Sequence, residues 1–298
     1  MLLPLMITLV VIVIPGVALH FWIAHRERTK RSPHVSQLLR GPGESLRKEM
    51  ENTFFDIATF LSITPLMALL VFAIHVSTSY FGGRPESPSR LFISVSLALC
   101  VLGFGYYKLS TLVRKRAKLR QGYEGEVAVA QELNQLMRHG AAIFHDVPGD
   151  GFNIDHVLVG KNGIYAIETK SRMKSMRDKG KDAAKVVFDG KCLVFPTWKE
   201  TQPLEQAAIQ AKWLSKWLSS AVGEPVEVRP AVALPGWYVE QIGRSSVHVF
   251  NPKMANFLAK GWLREPLSSV LLTRIEHQLD QRCRNVEPTL FGKQKLTL

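Results

Sequence analysis

At 298 residues with a net charge of +13, the chain has room for one sizeable domain plus attachments. The excess of Lys and Arg points to polyanionic partners, either nucleic acid or anionic lipid. Cys100, Cys192 and Cys283 stand far apart with no CxxC or Cys/His cluster, which argues against a disulfide framework or zinc ribbon and makes a reducing compartment the default.

Residues 1–24 are almost entirely apolar and end in a basic stretch, His25 to Arg31. No basic residue precedes the run, as a cleavable signal peptide requires, so an uncleaved anchor is expected. A second apolar run covers residues 57–81. A third, 91–107, is shorter than the ~20 residues that usually span a bilayer, but Tyr106, Tyr107 and Lys108 give it an interfacial end. Pro4, Pro15 and Pro65 are tolerable kinks within lipid. His20 and His75, the strongly polar groups of the runs, read as interfacial. Basic residues crowd 25–56 and 108–120 and are sparse in 82–90. That asymmetry predicts three spans in the cell (inner) membrane, the N-terminus outside and everything after Tyr107 in the cytoplasm. The expected divisions are a membrane anchor over 1–112, a domain over 113–240, and a completing strand and helices with a loose tail over 241–298.

After the basic run 114–120, a helix is predicted from about Gln121 to Arg138, with Glu126, Ala130, Leu133 and Met137 on one stripe. Glu126 therefore heads the face turned to the core, although a carboxylate in a first turn also complements the helix dipole without further role. Glu124, off the stripe, reads as solvated. A strand begins at Ala142, and a Gly- and Asp-containing loop follows.

Next comes Asn153 to Gly160, then Lys161-Asn162, then Gly163 to Lys170: two β-branched runs around a Gly-Lys-Asn-Gly turn, a strong hairpin signal. A Lys161-Asn162 loop sets Asp155 opposite Glu168; an Asn162-Gly163 loop sets it opposite Lys170. In either register Asp155, Glu168 and Lys170 share one sheet face. Two carboxylates and an ammonium among Val157, Val159, Ile164 and Ala166 are costly to desolvate without a purpose, and a bound divalent cation is such a purpose. The plainer reading is a structural ion cluster of Lys170 with Glu168. His156 alternates to the opposite face and reads as packed.

Residues 171–185 carry Arg172, Lys174, Arg177, Lys179, Lys181 and Lys185. Such a loop is either solvated surface or a track for phosphates, and it directly follows the triplet. Residues 186–188 and 191–194 around Asp189-Gly190 predict a second hairpin on a type I′ turn. A helix opens at Pro203 and runs to about Ala221. Its apolar stripe includes Leu204, Ala207, Ala208, Ala211, Leu214, Leu218 and Ala221, and Gln206, Gln210, Trp213 and Trp217 form an adjoining stripe. Strands at 228–234 and 247–250 and helices at 256–263 and 267–283 complete the pattern, and the tail beyond Arg284 is polar.

Gly122-Tyr123-Glu124-Gly125-Glu126, Asn153-Ile154-Asp155-His156-Val157-Leu158-Val159-Gly160 and Gly163-Ile164-Tyr165-Ala166-Ile167-Glu168-Thr169-Lys170, with Pro203-Leu204-Glu205-Gln206, resemble the NERD (nuclease-related domain) family within the broader PD-(D/E)xK nuclease superfamily. The resemblance covers roughly residues 118–235. Gln202 stands where the family usually has Asn before the Pro, and Ile154, not Pro, precedes Asp155.

The resemblance implies an α/β, restriction-endonuclease-like fold: a mixed central sheet flanked by helices, here preceded by an all-α transmembrane region. It implies that Asp155 and Glu168 bind Mg²⁺ (or Mn²⁺), with Glu126 completing or polarising the metal shell. Lys170 would position or deprotonate the attacking water, and Gln206 would orient the water or the phosphate. The expected activity is Mg²⁺-dependent phosphodiester hydrolysis, of DNA before RNA, at the bilayer. The alternative is a non-catalytic membrane scaffold that grips nucleic acid or a protein through its basic face.

Overall fold

The computed structural model describes residues 14–15, 17–22, 25, 36–81, 87–174 and 182–287. Most of the expected first span, together with Arg177, Lys179 and Lys181 of the basic loop, lies outside the described residues. The next two apolar runs lie within helices α1 (Glu44–Phe81) and α2 (Pro88–Asn134), both long and apolar enough to cross a membrane. Cross-contacts pair Glu49 with Lys115, Thr64 with Gly105 and His75 with Ser94, so the helices run antiparallel. A Cβ on Gly105 would sit 2.2 Å from the Thr64 side chain, so the helices meet where a glycine lets the backbones close up.

Helix α2 does not stop at the end of its apolar run. It carries the basic run on its surface, with Lys115 paired to Glu49 and Arg120 to Glu124, and enters the domain unbroken; residue 113 lies well inside it. Val129, Ala130 and Leu133 are buried, but at Gln135 the chain tightens into a 3₁₀ turn, Gln135–His139. The tighter winding turns Leu136 inward and leaves the expected core residue Met137 exposed.

Strands β2 (Ala142–Pro148), β3 (Asn153–Gly160) and β4 (Gly163–Thr169) form an antiparallel meander. Beside β4, β8 (Val228–Ala233) and then β10 (His248–Phe250) join in parallel, giving the order β10-β8-β4-β3-β2. The parallel pair needs a long crossover, which contains helix α3 (Gln202–Val222). One face of the sheet (Val157, Val159, Ile164, Ala166) packs on Leu214 and Leu218 of α3 and on Ile275 and Leu279 of a later helix, Ser269–Cys283. The other face (Leu158, Tyr165, Ile167) packs on Val129 and Leu133 of α2 and on Leu258 of helix α4 (Asn256–Lys260). The Ser269–Cys283 helix is α5. The architecture is therefore a helical N-terminal region followed by a mixed sheet with flanking helices, α/β overall.

A second sheet holds β5 (Lys185–Phe188), β6 (Leu193–Val194), β7 (Lys199–Glu200) and β9 (Tyr238–Gln241), in the order β7-β6-β5-β9. Phe188 pairs with Leu193, so the second hairpin turns through four residues, not the expected two. The Asp189 carboxylate accepts the N–H groups of Lys191 and Cys192, which widens the turn. The tail is ordered further than expected: Arg284–Val286 forms strand β11, which pairs antiparallel with β1 (Leu38–Leu39), ahead of α1.

Candidate active site

Alternation along β3 and β4 decides where the charges go. Gly160 pairs with Gly163 and His156 with Ile167, so Lys161-Asn162 is the loop, and one further step sets Asp155 against Glu168. Both carboxylates thus lie at the end of the hairpin away from its turn, on the face that meets α3. Asp155 Oδ2 accepts the Thr169 N–H at 2.6 Å. Glu168 is 2% exposed; its Oε1 is 2.5 Å from Lys170 Nζ and its Oε2 accepts from Gln210 Nε2 at 2.6 Å. Lys170 Nζ also donates to Gln206 Oε1 at 3.0 Å.

Glu126 arrives from α2. Gly125 makes its approach possible: a Cβ there would lie 2.6 Å from Ser171 Cβ, just past β4, and Gln121 Nε2 donates to the Ser171 carbonyl. Glu126, Asp155, Glu168, Thr169 and Lys170 line one cavity of about 540 Å³, with Leu46 of α1 and Lys118 of α2 on its wall. Burial, and next the negative charges of Asp146 and Glu168, push the Glu126 carboxyl up to about 8. Burial and then the charges of Glu168 and Glu126 hold Asp155 well above the usual carboxylate range. The three acids therefore feel one another across a shared space.

Could they hold a cation? Among the described residues no three His, Cys, Asp or Glu side chains stand close enough together to form a ready-made metal site. The donor chemistry nevertheless fits a hard divalent ion, which takes oxygen ligands and is commonly bound through only one or two carboxylates plus waters. Thr169, on the cavity wall, has a buried Oγ1 with no partner, as does Gln210 Oε1 beside Glu168. Asp155 and Glu168 are the residues that would hold such an ion, with Glu126 behind them.

The basic loop is differently disposed. Arg172 lines the cavity but forms a two-pronged pair with Glu200. Lys174 Nζ lies 5.4 Å over the Trp237 ring, and Lys185 pairs with Glu240 on the neighbouring strand. His156 packs away from the acids, its Nδ1 2.9 Å from that of His145 directly across the ladder. Burial lowers both imidazoles, His145 to about 4.

Two residues beside the acids were not singled out for the site by sequence reading. Gln210 is one turn beyond Gln206 on α3; a glutamine at core-facing spacing was the available signal. Asp146 is buried and lies near Glu126; nothing in its loop-like surroundings marked it.

No curated protein and no solved structure matches the chain. The family model described as nuclease-related domain, NERD, matches residues 121–235, from the C-terminal part of α2 to the residues just after β8. The acids, Lys170 and both glutamines all fall inside that stretch, so residues 121–235 of this chain, with the whole candidate site, match the nuclease-related domain family.

Proposed function

We propose that the protein is a membrane-anchored, Mg²⁺-dependent nuclease that hydrolyses phosphodiester bonds, of DNA before RNA, on the cytoplasmic side of the cell membrane. The observation that carries this reading is the meeting of Glu126, Asp155 and Glu168, from three separate elements, with Lys170 around one cavity. A divalent cation bound by Asp155 and Glu168 would polarise the scissile phosphate and lower the pKa of a bound water. Lys170, fixed between Glu168 and Gln206, points its ammonium at the same space, where it positions the attacking water and offsets charge on the pentacovalent phosphorus. Gln210 holds the far oxygen of Glu168 and so fixes which face of that carboxylate meets the cavity. Lys118 and Arg172 add positive charge to the cavity wall, which suits a phosphate backbone. The two long apolar helices supply the anchor, and the basic residues of 25–56 and 108–120 favour the cytoplasmic orientation.

A non-catalytic scaffold is the second reading. The observation in its favour is that both oxygens of Glu168 already have protein partners. One experiment separates the two: full-length protein in detergent on plasmid and linear DNA, with Mg²⁺ or chelator, beside Lys170→Ala and Glu168→Ala. Melting curves run alongside, because removing one member of a buried pair strands the other. Metal-dependent cutting, lost at least a hundredfold in both variants while they remain folded, is expected. Salt-sensitive binding without cutting, indifferent to both substitutions, would establish the scaffold instead.

A further inference from the structure

The chain ahead of α1, outside the family match, is laid against the nuclease-related domain. Leu38 and Leu39 pair with β11, the Arg40 N–H donates to the Cys283 carbonyl at 3.0 Å, and Arg40 Nε donates to Asn285 Oδ1 at 2.8 Å. Beyond that the segment turns toward the acids. Buried Asp146 Oδ2 accepts from Arg40 Nη1 (2.7 Å), from the Ser45 N–H (2.8 Å) and from Ser45 Oγ (2.7 Å). Asn153, two residues before Asp155, donates from Nδ2 to Ser45 Oγ at 2.6 Å. Between these anchors the Gly43 backbone N–H lies beside the Glu126 carboxyl and favours its charged form.

The backbone is specialised at both ends of this knot. Gly43 has φ of 66°, and a Cβ on it would lie 2.6 Å from the Tyr123 ring. Asp146, with φ of 49°, is the one non-glycine residue of positive φ among the described residues. A simple docking peg would need one ion pair at the surface. Here three donors converge on one buried oxygen, and the same few residues bring a backbone N–H beside a cavity acid.

We propose that residues 38–46, the strap that leads into the first turn of α1, are a positioning element of the active site: Gly43 aims the Glu126 carboxylate into the cavity, and the Arg40–Ser45–Asp146 knot holds Gly43 in place. This rests on the nuclease reading for its catalytic consequence, though not for its geometry. Arg40, Gly43 and Ser45 are positioning residues and touch no substrate.

The test uses the full chain in detergent, comparing wild type with Gly43→Ala, Arg40→Gln, Arg40→Lys and Ser45→Ala. Turnover of DNA with Mg²⁺ and hydrogen–deuterium exchange at residues 122–130 are both measured. The expected result is kcat down by as much as about a hundredfold in Gly43→Ala and Arg40→Gln with KM little changed, since a misplacement of about 1 Å can cost that much. Ser45→Ala should lose less, Arg40→Lys should recover part of the rate, and exchange at 122–130 should rise in step with the loss. Exchange that rises while kcat stays at the wild-type value makes the strap a mere docking contact and overturns the proposal, as does no change in either. If Gly43→Ala fails to fold, Arg40→Gln and Ser45→Ala carry the same comparison. If wild type cuts nothing, the nuclease reading fails by itself. The strap is then judged on exchange at 122–130 alone: a rise upholds its hold on Glu126, and unchanged exchange refutes it.

Discussion

A carboxyl enclosed with two others keeps a proton that it would give up in water. For Glu126 the ordinary value of 4.5 is raised to about 8, so between those limits the folded chain binds a proton that the unfolded chain has released. Its contribution to stability is therefore complete below about 4.5 and disappears as the pH climbs toward about 8. Asp155, shifted in the same direction, acts with the same sign. Glu126→Gln, uncharged throughout, is expected to flatten the fall in melting temperature of the metal-free protein over that window and to melt higher at its alkaline end. An unchanged slope in calorimetry would count against the shared acidic space. The residues of this space were unequally legible. Period-two alternation alone put Asp155, Glu168 and Lys170 on one face, because a strand leaves no other choice. Gln210 was hidden because a polar residue on an amphipathic helix reads as boundary. Asp146 was hidden because a left-handed backbone leaves no mark in side-chain pattern.

Among the elements, the approach of α2 to the end of β4 is a close fit near the acids. Any side chain at Gly125 must displace Ser171 or lift the helix. Gly125→Val is expected to destabilise the domain by about 1–3 kcal/mol through overpacking, read as a lower melting temperature, and to impair cutting by withdrawing Glu126. Wild-type melting and turnover would show that the contact can relax freely. The β3–β4 hairpin was readable to within two registers, since turn chemistry limits loop length. The β5–β6 hairpin was misread, since an Asp side chain that captures two backbone N–H groups makes a wider loop than Asp-Gly suggests. The length of α2 also escaped notice. A change from apolar to basic composition resembles a linker, yet Arg and Lys are good helix formers and nothing in 108–121 breaks the helix.

For the molecule as a whole, the charge asymmetry of the connecting segments makes orientation the first thing to check. A reporter fused after Leu298 is expected to signal cytoplasm, and an external signal would reverse the assignment. The long-range closure of the chain could not be seen in sequence: Arg40 reaches Asn285 across 245 positions, and no local pattern encodes such a partner.

The unbroken course of α2 has a mechanical corollary. From Tyr107, at the expected edge of the bilayer, to Glu126 the axial distance is about 28 Å at ~1.5 Å per residue, with no proline or glycine hinge before Gly122. A stiff rod transmits displacement instead of absorbing it. Thinning or thickening of the lipid that slides this helix by one residue would carry the acid ~1.5 Å past Lys170, so on the proposed membrane-anchored nuclease reading, hydrolysis rates in bilayers of graded acyl-chain length would report membrane thickness.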